Sequence, residues 1–308
     1  MGQETTAVAP MGLATRLLGP APVTGSAPGA TEVAVSPLVQ PAATPLVLVH
    51  GFTQTGQSWA PVIDALGEDI PLIVPDAPGH GGSTAIRADL WQTANLLAGS
   101  VAVPAHWAGY SMGGRMALHV ALAHPDKVER LVLISVNPGI EDASQRAARR
   151  SSDHALAARI ERDGVERFLD YWLAQPLFDT LGAERAGLEA RLANTPAGLA
   201  SSLRLTGTGS QDPLWPRLEE LRERAVPVLV VAGSLDRAYR AHAERMAAVI
   251  GPAAQLLVIE GAGHACHLER PHEVAMAVSR FCRLPVNPSG DRGDRCDRSD
   301  RGGLQEAL

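Results

Sequence analysis

Six short runs of apolar residues recur along the chain, and no polar residue interrupts any of them: Leu46–Val49, Leu72–Val74, Trp107–Gly109, Leu131–Ile134, Val228–Val231 and Leu256–Ile259. A run of this length with no polar alternation is the pattern of a strand covered on both faces. Helical stretches such as Gly113–Ala123 and Arg240–Ile250 fall between most of the runs. Strand and helix in alternation predict a mostly parallel sheet with helices on both faces, an α/β fold. One interval is too long for a crossover: about 90 residues separate Ile134 from Val228. It reads as helix over Ser144–Ala174, Ala183–Ala193 and Gly198–Thr206, and is expected to form an inserted helical lid over the carboxyl ends of the strands.

The predicted organisation is therefore a core over 45–137 and 217–284, with the lid over 138–216. Residues 1–44, rich in Ala, Pro, Thr and Gly, are expected to be a flexible extension with at most an edge strand near Glu32–Ser36; Met11 is an alternative start. Residues 285–308, rich in Pro, Gly, Asp and Arg, have too few apolar groups to offset their ordering entropy and are expected to be disordered.

Charge and cysteine content exclude several classes. The net charge of −6 argues against nucleic acid as a partner. Among 27 basic residues only Lys127 is lysine, in the turn-like His124-Pro125-Asp126-Lys127, so Schiff-base chemistry has almost no candidate. No uncharged apolar run approaches the roughly 20 residues of a membrane-spanning helix. Cys266, Cys282 and Cys296 are odd in number and lack CxxC spacing. They predict neither a disulfide framework nor a zinc site, and the expected location is the cytoplasm.

The sharpest local signal is Gly109-Tyr110-Ser111-Met112-Gly113, which is G-x-S-x-G between a predicted strand and a predicted helix. That context forces the serine into a strained turn with its hydroxyl exposed. A serine hydroxyl needs a base, and the base needs an orienting acid. Asp236 follows the fifth run and His264 the sixth, giving the order Ser111, Asp236, His264. Asp236 also suits a helix cap before Tyr239, and His267 is a second histidine three residues beyond His264. His50-Gly51-Phe52 follows the first run, where the Phe52 amide is expected to join the Met112 amide as an oxyanion hole; a tight strand-to-loop turn is the alternative. The glycines of Asp76–Ser83 suit loop geometry.

These segments in this order resemble the α/β-hydrolase superfamily over residues 45–284. The chain further resembles the 2-succinyl-6-hydroxy-2,4-cyclohexadiene-1-carboxylate synthase family of menaquinone biosynthesis. That resemblance rests on His50–Gly56, Asp76–Gly81, Gly109–Arg115, Pro138–Ile140 and, within the lid, Gln145–Asp153, Gln175–Phe178, Asn194–Ala200 and Gly207–Gln211. It implies elimination of pyruvate from 2-succinyl-5-enolpyruvyl-6-hydroxy-3-cyclohexene-1-carboxylate, with Ser111, His264 and Asp236 supplying the base and no metal or organic cofactor. It also implies that Arg115, Arg149, Arg191, Tyr110 and Trp172 contact a small tricarboxylate. Arg115 lies one helical turn beyond Ser111, so it can face the same pocket, and arginine binds carboxylates as a fork. A solvated helix face is the bland alternative for any one arginine. Where the family usually has lysine two residues after the acid, this chain has Ala238. A serine esterase or C–C bond hydrolase on the same fold is the alternative reading.

Overall fold

The computed structural model describes residues 5–7, 12–19 and 43–283. Eight strands form one sheet in the order β1-β2-β4-β3-β5-β6-β7-β8. The strands are β1 (Thr5–Ala7), β2 (Thr15–Leu18), β3 (Leu46–Val49), β4 (Leu72–Pro75), β5 (Ala105–Tyr110), β6 (Val128–Ile134), β7 (Val228–Gly233) and β8 (Ala254–Ile259). The run from β4 to β8 is parallel throughout, whereas β1 and β2 pair antiparallel at one edge. All six apolar runs are strands.

Alternate residues of β3 to β7 serve two separate cores, which is why those runs are continuously apolar; β8, at the sheet edge, differs, with Leu256 exposed and only Ile259 of its run buried. Val47, Val49, Trp107, Leu131, Leu133, Val228 and Val230 face one layer, where α2 (Leu90–Gly99), α3 (Met112–Ala123), α7 (Glu219–Glu223) and α8 (Arg237–Ile250) pack. Leu46, Leu48, Ala108, Val132, Ile134 and Val231 face the other, beneath α1 (Ala60–Leu66), α9 (Cys266–Glu269) and α10 (Pro271–Arg283).

Between β6 and β7 the chain forms α4 (Ala143–Leu173), α5 (Leu188–Leu192) and α6 (Pro196–Thr206) before α7. α4 and α6 hold a third apolar cluster, with Ala157, Ile160, Phe168, Leu169, Leu199 and Leu203 at its centre. The expected helix over Ser144–Ala174 is interrupted: Gly164 takes φ 80° and ψ 171°, a conformation open to glycine, and divides α4 into two segments. Phe52 packs against both the sheet core and this third cluster, so the insertion sits on the loop that follows β3.

The N-terminal reading needs amendment. Residues 1–44 were expected to be a flexible extension, yet β2 lies within them and runs from Thr15 opposite Pro75 to Leu18 opposite Leu72. Its seating is fixed by Asp76 N donating to Ala14 O at 2.8 Å, Ala14 N donating to Ser83 Oγ at 2.9 Å, and the buried Leu13 side chain. The suggested strand near Glu32–Ser36 and the tail 285–308 lie outside the described residues. Among the described residues, no helix is long and apolar enough to cross a membrane.

Burial also makes the fold sensitive to acid. His80 is pushed down to about 3, and His106 and His119 each to about 4, chiefly by desolvation. The unfolded chain takes up a proton at each position near pH 6.5, while the native chain stays neutral there. Stability is therefore fully present above about pH 6.5 and falls as the pH drops, by at most about 1.4 kcal/mol per pH unit for each histidine. Urea midpoints at pH 7.5 and pH 5.0 check this; equal midpoints would show that these rings are protonated in the native state.

Candidate active site

Ser111 sits between β5 and α3 with φ 51° and ψ −110°, a conformation that a non-glycine residue adopts only when its surroundings impose it. Its amide is tied to Ile134 O at 2.8 Å. The glycines beside it let backbones approach. A Cβ on Gly113 would lie 2.2 Å from Val49 O and 2.5 Å from His50 O, and one on Gly109 would lie 2.4 Å from Gly113 O. Glycine is required here by contact, and the close approach of α3 to β3 turns the serine hydroxyl outward.

The loops after β7 and β8 meet this turn. Asp236 accepts from Tyr239 N at 3.2 Å through Oδ1 and from His264 Nδ1 at 2.8 Å through Oδ2. Cap and acid are thus two jobs of one carboxylate. With Nδ1 donating to Asp236, His264 Nε2 is free to accept, and it lies 3.2 Å from Ser111 Oγ. The His264 loop is clamped at both ends: Ser135 Oγ donates to His264 O at 2.8 Å, and Gly263 N donates to Glu269 Oε2 at 2.8 Å. His267 goes elsewhere. It is fully buried, its ring lies 4.0 Å from that of Tyr110, and its Nε2 faces Gln54 Nε2 at 3.3 Å.

The loop after β3 carries Phe52 to the same place. His50 holds it from below, with Nδ1 donating to Gly51 O at 2.8 Å and Nε2 accepting from Ala77 N at 2.9 Å. Burial lowers the His50 pKa, which keeps that ring neutral and in this tautomer. The Met112 N–H belongs to the first turn of α3, whose amides have no partner within the helix. Both Phe52 and Met112 line a cavity of about 390 Å3 that contains Ser111 and His264.

The cavity wall also carries Tyr110, Arg115, Arg149, Trp172 and Arg191. Arg115 is buried and donates to Thr206 O at 2.6 Å and Gln211 Oε1 at 3.0 Å. Arg191 is 1% exposed and donates to Ala186 O at 2.7 Å and to Thr53 Oγ1. Among the described residues neither guanidinium has a carboxylate partner. Burial lowers each to about 10, which leaves both charged at neutral pH. Arg149 differs: its Nε donates to the buried Asp153 at 2.7 Å, and its side chain is half-exposed. The Trp172 indole N–H is buried without a partner among the described residues. A cavity with two unpaired buried cations, a free indole donor and a Ser–His–Asp chain at its floor is built for an anionic ligand beside a proton-transfer group.

A family model for the alpha/beta hydrolase family matches residues 46–277. The chain is 34% identical over 249 residues to the 2-succinyl-6-hydroxy-2,4-cyclohexadiene-1-carboxylate synthase of Klebsiella pneumoniae, covering 79% of this chain and 95% of that protein. It belongs to the same synthase family within the α/β-hydrolases. The similar enzyme of Salmonella heidelberg is 34% identical over 252 residues, covering 80% and 96%. A solved structure of MenH from S. aureus superposes with a TM-score of 0.72 at 31% identity, covering 77% of this chain and 92% of that one. An esterase from Thermogutta terrifontis, at 23% identity and TM-score 0.70, shares the fold.

Within this synthase frame, several wall residues escaped sequence reasoning. The Tyr239 ring lies 4.3 Å from that of His264, and its hydroxyl is pushed up by burial. Its position three residues after Asp236 was a usable signal. Phe178, 6.1 Å from the His264 ring, and Gln211, which accepts from Arg115, lie in the lid motifs Gln175–Phe178 and Gly207–Gln211, but only the folded insertion shows where they meet the site. Arg237 and Ala238, where the family usually places lysine at the second position, are exposed on α8.

Proposed function

We propose that this chain eliminates pyruvate from 2-succinyl-5-enolpyruvyl-6-hydroxy-3-cyclohexene-1-carboxylate to give 2-succinyl-6-hydroxy-2,4-cyclohexadiene-1-carboxylate. The observation that carries the reading is the pair of buried guanidiniums, Arg115 and Arg191, without carboxylate partners in the cavity that holds Ser111 and His264. A small tricarboxylate supplies the missing counter-charges, and Arg149, already shared with Asp153, adds a weaker third cation.

The chemistry uses the chain's own groups and needs no metal or organic cofactor. Ser111 Oγ takes the ring proton as its own proton passes to His264 Nε2, and Asp236 stabilises the resulting imidazolium. Negative charge moves onto the oxygen of the adjacent carbonyl, where the Phe52 and Met112 amides donate to it. The electron pair then returns to form the new ring double bond and breaks the bond to the enolpyruvyl oxygen. Proton return from His264 by way of Ser111 and tautomerisation complete pyruvate. Residues 138–216 act as the lid that brings Trp172 and Arg191 over this site, with the core supplied by 45–137 and 217–284. The cytoplasm suits such an enzyme, whose Cys266 and Cys282 are free thiols.

Two assays on one sample test the reading: pyruvate release from the enolpyruvyl precursor above its spontaneous rate, and cleavage of a short p-nitrophenyl ester. Fast release with feeble ester cleavage is expected. Ester cleavage without accelerated pyruvate release would make the chain a serine esterase or C–C bond hydrolase. In the first assay, Arg115→Ala and Arg191→Ala should each lower kcat/KM by about 10- to 150-fold, the loss of one charge-assisted hydrogen bond of roughly 1.5–3 kcal/mol. Arg149→Ala should cost less. Arginine variants that match wild type would remove the tricarboxylate from the reading.

A further inference from the structure

Thr53, the residue after Phe52, is wholly buried and takes φ 66°, a left-handed conformation that a β-branched residue holds only when neighbours impose it. All three of its polar groups are engaged. Its amide donates to His80 Nε2 at 3.3 Å, its carbonyl accepts from Asn194 Nδ2 at 2.8 Å, and its hydroxyl accepts from Arg191 Nη1. His80, driven down to about 3 by burial, keeps that nitrogen as a lone-pair acceptor at any working pH, and its Nδ1 donates to Pro78 O at 3.1 Å.

Asn194, 5% exposed, lies in the insertion just after α5. Its carboxamide joins three segments: Nδ2 donates to Thr53 O and to Arg191 O at 2.9 Å, and Oδ1 accepts from Gly81 N at 2.9 Å. Two of the three holds on Thr53 therefore come from the insertion and one from the loop after β4. Released from them, Thr53 would relax toward negative φ and turn the Phe52 peptide with it.

We propose that Asn194 is a positioning residue: by fixing Thr53 in its left-handed conformation, it aims the Phe52 amide at the oxygen on which negative charge develops. The insertion thereby sets the anion-stabilising geometry of the core as well as covering it. The proposal rests on the role given to the Phe52 amide above.

The test compares Asn194→Ala and Asn194→Asp with wild type. Asp keeps the acceptor for Gly81 and loses both donors. Two readouts are taken on folded protein: kcat and KM for pyruvate release, and the rate at which a fluorophosphonate modifies Ser111, followed by intact mass. The phosphonate oxygen needs the same amides, whatever the natural substrate. Both variants should show kcat lowered by about 10- to 100-fold, the cost of a displaced group of this kind, with KM changed less than about threefold. Phosphonylation should slow by a similar factor. Unchanged kcat, a rise in KM alone, or phosphonylation at the wild-type rate would overturn the proposal. A wild type that releases no pyruvate sinks the reaction assigned above, while the phosphonylation ratio still decides Asn194. Should the Asn194→Ala and Asn194→Asp variants fail to fold, Asn194→Gln replaces them. Its longer chain keeps the carboxamide but carries it past Thr53 O, so both readouts should slow; a Gln variant equal to wild type overturns the proposal.

Discussion

Ser111→Ala is expected to lower kcat/KM for pyruvate release by about 10²- to 10⁴-fold, the range over which a positioned base contributes, and to leave the fold intact. The substitution removes one oxygen from a residue whose backbone is held by Ile134 and by the packing of Gly113 against β3. Alanine tolerates the Ser111 backbone angles no worse than serine does, so the thermal midpoint should stay where it is. The remaining rate would come from the Phe52 and Met112 amides and the arginines, which the substitution does not touch. His264→Ala should lose a similar factor, and the double variant little more, because the two side chains pass one proton between them. A Ser111→Ala enzyme at the wild-type rate would exclude Oγ as the base and direct attention to His264 acting alone.

Gly113→Ala should abolish the native fold or cost about 4 kcal/mol or more in unfolding free energy, although it adds one methyl group. The methyl would stand 2.2 Å from Val49 O and 2.5 Å from His50 O, and both obstacles are backbone at the end of a central strand. Relief requires α3 to move away from β3, which would undo the Ser111 turn and the loop that carries Phe52 at the same time. Gly99→Ala is the matched control. Gly99 closes α2, and a Cβ there would meet nothing within 4 Å, so alanine should be neutral or raise stability by up to about 1 kcal/mol. Denaturant titrations of the two variants check the contrast. A Gly113→Ala protein as stable as wild type would mean that the elbow can open without cost.

The sheet was legible in the sequence wherever a strand is covered on both faces, because such a strand leaves an unbroken apolar signature. β2 was not. Thr15–Leu18 is a short, partly exposed strand next to the sheet edge with Leu17 turned to solvent, and four such residues inside an Ala- and Pro-rich stretch resemble a linker. The break at Gly164 was missed for a related reason: a lone glycine within helical periodicity is as consistent with a continuing helix as with its interruption. Ser111, Asp236 and His264 could be picked out because each closely follows a strand. Their residue types are constrained by short loops, and distant packing matters little. The anchors of the arginines read differently. Arg115 stood out by its helical spacing from Ser111, but the groups that hold it, Thr206 O and Gln211, come from the insertion, and no local pattern announces which loop residue will meet which helix.

The two N-terminal strands have a practical side. β2, itself flanked by β1, stands between the hydrogen-bonding groups along the outer side of β4 and the solvent. A shortened protein beginning at Met11 would give up β1 and keep β2. One beginning at residue 44 would bare the flank of β4 from Leu72 to Pro75, and a bare flank invites another polypeptide to add itself to the sheet. Trimming the N-terminus to what looks like the enzyme alone would thus produce a particle that recruits its own copies, with every residue of the reaction centre still in place.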